Sequence, residues 1–324
     1  MFVDLNEAIK LIEENKILHI AADEALLKQL PKGRWIAGTT PYFITEQGGI
    51  TCKDKLFVNE IQCTVDYKTV VYDRNNIFDI TKDAYSNGIT FLIMPFASDV
   101  AVFYAKEAPN YDDLFMNSIV GWISGYDLST DSKAKVFDGV TGRSYDDKAV
   151  ALHICLPDAK IASLGIVNIF NVDEKDTRIE FTEDALSVAK CLVNGKEVIL
   201  SDYIAKNKIN TQLPLVADYN SVLVNVSIKS ISEENKTVDF YAPVFAGKEY
   251  HFAHAVSNYE ESFNEYLQEF KDIKPVFSCN CILNYLYGEL EGKATPPFAG
   301  PVTFGEIAYQ LLNQTLVYAE IISK

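Results

Sequence analysis

Three features of the sequence predict an α/β fold with α+β character, arranged as two related halves with mixed, partly antiparallel sheets flanked by helices. Apolar residues fall at three-and-four spacing near the start of the chain and again near residue 260. Continuous apolar runs between them suit strands buried on both faces. A short pattern also occurs twice. Leu30-Pro31, Ile36-Ala37-Gly38 and the strand-like 56–61 are echoed by Pro297, Phe298-Ala299-Gly300 and 316–321. Two similar halves around a shared cleft follow, with a division into 1–181 and 182–324.

Residues 4–30 read as helices. Leu5, Ala8, Ile9 and Ile12 share one face, Asp4 caps the first turn, and a second piece at 22–30 stops at Pro31 and Gly33. Trp35-Ile36-Ala37-Gly38 is a short strand leading to a Thr39-Thr40-Pro41 turn. Strands follow at 55–65, 69–72, 89–95, 149–156 and 160–168, while the Asp-, Ser-, Gly- and Tyr-rich stretch 106–148 reads as loop. Thr182 starts a helix that runs to Cys191 and ends at Asn194-Gly195, and a short helix spans 201–206. Strands at 222–231 and 237–244 form a hairpin. A strand at 249–256 leads to the clearest helix, with Tyr259, Phe263, Tyr266, Leu267 and Phe270 on one side and a Ser257–Glu260 capping box. A strand at 275–278 and a helix at 281–290 come next.

The chain has 324 residues and a formal net charge of −16. That length buries a large core without disulfides or metals. An acidic shell repels phosphate backbones, so nucleic acid is not an expected partner. The most apolar stretch, 89–105, carries Pro95, Ser98 and Asp99 and is too short to span a bilayer, and no signal sequence opens the chain. Cys52, Cys63, Cys155, Cys191, Cys279 and Cys281 are scattered rather than set out as a disulfide framework. A soluble cytoplasmic protein with no membrane partner is the expectation.

No phosphate-binding glycine loop occurs, and no cofactor is called for. His251, His254, Cys279 and Cys281 are zinc-type ligands, but a strand would point the two histidines to opposite faces, so no metal site is expected. Cys279 follows a strand and precedes a helix, where a thiolate nucleophile could stand with His251 or His254 as its base. A cysteine-dependent hydrolase is therefore the alternative reading. Glu306 lies in apolar and small surroundings, Phe304-Gly305-Glu306-Ile307, where a carboxylate needs a partner or a ligand. From turn positions and the repeat, the expected ligand-binding residues are Arg34, Thr39 and Thr40 from one half, with Asn280, Gly300 and Glu306 from the other. Thr39 and Thr40 would meet a ligand carboxylate, and Glu306 a ligand ammonium.

The order of features in the C-terminal half resembles the FIST (F-box and intracellular signal transduction) sensory domain family. The residues that carry the resemblance begin with Val193-Asn194-Gly195-Lys196, Leu213-Pro214-Leu215 and Gly247. They continue with Phe277-Ser278-Cys279-Asn280, Phe298-Ala299-Gly300 and Phe304-Gly305-Glu306-Ile307, then Asn313 and Thr315 before the last strand. The match covers about 190–322, with 30–38 as its best counterpart in the N-terminal half. It departs at Ile282 and Leu312, where the family often has a basic residue and a histidine. The resemblance implies a bacterial cytoplasmic sensory domain that binds a small molecule, with amino acids among the proposed ligands. It implies no catalysis, and a separate downstream signalling protein as partner.

Overall fold

The computed structural model describes residues 1–173, 176–219, 222–254 and 259–324. Its sheets are mixed and flanked by helices, as the sequence predicts. It contains three units of one topology where the sequence repeat shows two. Each unit runs edge strand, helix, first inner strand, second helix, second inner strand, hairpin, last strand.

The first unit comprises β1 (Phe2–Val3), α1 (Leu5–Glu13), β2 (Leu18–Ala22), α2 (Glu24–Leu27), β3 (Trp35–Thr39), β4 (Tyr42–Thr45), β5 (Gly48–Thr51) and β6 (Leu56–Glu60). The second comprises β7 (Asp66–Tyr72), α3 (Ile80–Asp83), β8 (Gly88–Pro95), α4 (Asp99–Glu107), β9 (Ser118–Ser124), β10 (Val136–Asp138), β11 (Arg143–Tyr145) and β12 (Ala149–Cys155). The third opens with β13 (Lys160–Val167) and is interrupted by an inserted region. The insertion holds β14 (Ile179–Glu180), β15 (Ala185–Val188), β16 (Lys190–Val193), β17 (Lys196–Ile199), α5 (Leu200–Asn207), β18 (Leu215–Tyr219), β19 (Val222–Val226), β20 (Ile228–Ser232), β21 (Thr237–Val244) and β22 (Glu249–Phe252). The third unit resumes with α6 (Tyr259–Leu267), β23 (Phe277–Cys281), α7 (Ile282–Tyr287), β24 (Gly300–Thr303), β25 (Glu306–Ala308), β26 (Gln310–Leu312) and β27 (Leu316–Ser323).

In every unit the two inner strands are parallel and the last strand runs antiparallel beside the first. The hairpins are exchanged around a ring: β10 pairs with β3, β25 with β9, and β4 with β24. Three six-stranded sheets of identical order result, β1-β6-β2-β3-β10-β11, β7-β12-β8-β9-β25-β26 and β13-β27-β23-β24-β4-β5. Inner strands of such sheets are covered on both faces, which is why β2 and β23 are buried along their whole length. The rings of His19 and Trp122 lock two units together, the indole N–H donating to Nε2 at 2.8 Å. The expected division at 181/182 falls inside the insertion, and strands from before it (β13, β9, β4) pair with strands from after it (β27, β25, β24). The insertion docks through a Lys106–Asp184 ion pair and through Ser227 Oγ, which donates to Gln314 Oε1 at 2.7 Å.

Three sequence expectations change. The span 4–30 is not helical throughout: Asn15 turns left-handed at φ 58° after α1, and Leu18–Ala22 becomes β2. The stretch 106–148 hides the buried inner strand β9 among polar neighbours. In place of the helix expected at 182–191 stand β15 and β16, and Asn194 (φ 49°) and Gly195 (φ 76°) make the two-residue turn of the β16–β17 hairpin instead of a helix end. The expected capping box includes Ser257, which lies outside the described residues. Asp4 does cap α1, accepting from the Glu7 amide at 2.9 Å. Among the described residues no helix is long and apolar enough to cross a membrane.

Candidate functional site

The exchanged hairpin of the second unit draws the loop 125–135 across the carboxyl end of β3. The Thr39 amide donates to the Lys135 carbonyl at 2.9 Å, and the Gly125 amide donates to the Thr39 carbonyl at 2.7 Å. Asp127 stiffens the loop by accepting from the Ser129 amide (2.9 Å) and hydroxyl (2.7 Å), while the Leu128 amide donates to the Tyr42 hydroxyl at 3.0 Å. Between this loop, the start of α2 and Lys53 lies an open cleft of about 460 Å³. It occupies the place where α/β sheets usually bind ligands, outside the carboxyl ends of strands.

Thr39 and Thr40 form its floor. Their hydroxyls are already engaged. Thr39 Oγ1 donates to the Gly125 carbonyl at 2.7 Å and accepts from the Lys135 amide at 2.9 Å. Thr40 Oγ1 donates to the Val302 carbonyl at 2.7 Å and accepts from the Tyr42 amide at 3.2 Å. The two threonines build the cleft by tying three units together. The groups left to face a ligand are Lys28, Lys53, Lys133, Asp23, Glu24, Asp127 and Tyr126, with the hydroxyls of Thr130 and Ser132. Lys53 lies 2.5 Å from Asp127, and with the Ser129 bonds it lowers that carboxyl to about 2. Glu24 accepts from Lys28 at 2.7 Å and from Lys135 at 2.6 Å.

The other four expected residues are not brought to this cleft. Arg34 is exposed at the far end of β3, its guanidinium over the Tyr67 ring at 5.5 Å. Gly300 and Asn280 flank a separate void of about 10 Å³, room for about one water. Asn280 Oδ1 accepts from Asn284 Nδ2 at 2.8 Å. Gly300 is required by packing, because a Cβ there would sit 1.9 Å from the Ser278 carbonyl. Glu306 is fully buried. Thr315 donates to its Oε2 through both amide (3.2 Å) and hydroxyl (2.9 Å), and Thr303 Oγ1 lies 2.9 Å from its Oε1. Burial pushes its pKa up to about 8 against these hydrogen bonds. It therefore sits sealed in the core and offers nothing to a ligand ammonium.

Cys279 is also buried, its thiol donating to the Gly121 carbonyl at 3.5 Å, and burial raises its pKa well above the usual thiol value. A protonated, inaccessible thiol is a poor nucleophile. His251, in β22, lies 3.2 Å from Glu249, and His254, beyond the end of that strand, lies 2.6 Å from Asp176. The cleft lysines and Asp127 were not legible in sequence, because they come from three separate segments with no fixed spacing. The Gly125-x-Asp127-x-Ser129 turn was the one local signal.

The ring places an equivalent position between the second and third units. There the inserted region closes it: Leu186, Tyr241 and Pro243 lie against Phe96, Ala101 and Phe304, leaving about 20 Å³. The cleft beside Thr39 stays open and polar.

Fold and cleft together define a three-unit α/β protein with a ligand-sized hollow at one of its unit junctions. The chain belongs to a family of unknown function, DUF6976, whose model matches residues 3–322. A search of curated proteins finds no match.

Proposed function

We propose that the protein is a small-molecule-binding sensory module rather than an enzyme, and that its ligand occupies the cleft between the first and second units. The open hollow of about 460 Å³ at the ends of β3 and β9 carries this reading, since it falls within the usual range for ligand pockets. Its lining contains hydroxyl and charged groups and no cysteine or histidine. The FIST resemblance points the same way and suggests an amino acid or similar metabolite as the ligand. A downstream signalling protein would take up the signal. All six cysteines are free thiols, which suits a reducing cytoplasm.

A thermal-shift screen of amino acids and metabolites tests the proposal on wild type and on Ala25→Trp. Ala25 lines the cleft from an exposed position on α2, so the indole fills the hollow without disturbing the core. The expected result is a ligand-dependent rise in Tm for wild type that the variant loses. An equal rise in both proteins places the ligand elsewhere and refutes the cleft.

A further inference from the structure

We infer that the cleft selects a small organic oxyanion, a carboxylate or phosphate ester held by lysine ammonium groups; this rests on the cleft reading above. An ammonium carries three protons to donate and a carboxylate only accepts, so the balance of unused donors and acceptors defines what a ligand must bring. Lys28 and Lys53 each give one proton to a carboxylate, at 2.7 Å and 2.5 Å. Lys133 reaches only Asp146, at 3.6 Å. All three retain protons for a ligand.

Each of the carboxylates opposite them is already engaged. Glu24 takes two ammonium groups, from Lys28 and Lys135. Asp127 takes Lys53 together with the Ser129 amide and hydroxyl. Asp23 accepts from the Ala25 amide at 2.9 Å. The floor hydroxyls direct their protons to the Gly125 and Val302 carbonyls. A ligand that supplies negative charge and lone pairs completes this arrangement. A ligand ammonium would compete with the lysines already held at Glu24 and Asp127. The lining holds three lysines beside three carboxylates, so it is near neutral within a chain of net charge −16, and an anion is held only by close contact with the lysine group. Its attraction extends only about 10 Å at ordinary salt, so binding weakens as salt rises.

Calorimetric titration of the full chain at low and high salt tests the inference. The probes are citrate, glutamate, glucose 6-phosphate and, as the neutral twin of the last, glucose. At least one of the three anions is expected to bind, with glucose 6-phosphate at least about tenfold tighter than glucose if phosphate is the group selected, or the carboxylates alone if it is not. Lys133→Gln, which disturbs only a loose ion pair, is expected to weaken the anion about fivefold to tenfold and to reduce the salt dependence. Anion binding unchanged in Lys133→Gln and in Lys28→Gln overturns the inference, as does the absence of binding by all three anions. Binding of a neutral or cationic compound that Ala25→Trp abolishes, with no anion bound, overturns the oxyanion assignment and keeps the cleft. If no bound compound responds to Ala25→Trp, both fail.

Discussion

Glu306 shows how one side chain can oppose the usual pH behaviour of an acidic protein. A hydroxyl has a single proton, and Thr303 Oγ1 lies 3.3 Å from the Asn280 carbonyl as well as 2.9 Å from Glu306. Thr303 donates to Glu306 at the shorter distance, and Thr315 donates to the other oxygen, but burial outweighs these donors. The group is thus built to be neutral. It titrates at about 8 when folded and at 4.5 when exposed, so between those values the folded chain holds the extra proton and stability falls as pH rises. His19 and His153 act in the opposite sense. Burial lowers them to about 3 and about 4 from 6.5, so stability falls as pH drops below 6.5. Resistance to urea is therefore expected to peak near pH 6.5, the unfolded histidine value. From there toward pH 8 it declines by up to about 1.4 kcal/mol per unit. Glu306→Gln keeps an acceptor for the Thr315 amide and a donor for Thr303, and should abolish the alkaline decline. A decline that persists in the variant would rule out the neutral acid.

Elements in this fold are defined by what they meet more than by their own propensity. Two glycines make the contrast. Gly300 lies in β24 against the Ser278 carbonyl of β23, and a methyl group there has no room at 1.9 Å. Gly195 turns the β16–β17 hairpin at φ 76° with nothing within 4 Å of its missing Cβ. Gly300→Ala should cost more than about 2 kcal/mol by forcing parallel strands apart. Gly195→Ala should cost about 1 kcal/mol of backbone strain. Thermal unfolding of the two variants measures the difference, and equal losses would mean that β24 yields easily.

At the scale of the molecule, hairpin exchange makes each unit depend on another. A fragment of residues 1–181 would leave β4 without β24 and β9 without β25. It would expose open inner edges in two sheets. Such a fragment is expected to lack cooperative thermal unfolding, whereas the full chain should unfold through a transition that includes all three units. Circular dichroism on the fragment decides this, and a cooperative native-like melt would show that exchange is dispensable. The cleft also belongs to this scale, because it exists only where the loop of one unit crosses a strand end of another.

Residue order alone is enough for the elements whose cause is local. Asp4 caps α1 because its carboxylate lies beside free amides, the amphipathic stripe near residue 260 gives α6, and the apolar run at 89–95 gives β8. Its repeated Ala-Gly pattern marks β3 and β24, equivalent inner strands of two units. The tertiary structure decided the rest. The third unit is invisible in sequence because topology repeats through burial and pairing, which many side chains satisfy. Asn194-Gly195 suits a helix end and a hairpin equally, and only a partner strand selects between them. Arg34 stands at the opposite end of β3 from Thr39, while Asn280, Gly300 and Glu306 are buried among the strands of the third unit, so none of the four reaches the cleft. The lysines that face the cleft come from remote segments, and no local spacing records a meeting that chain closure alone brings about.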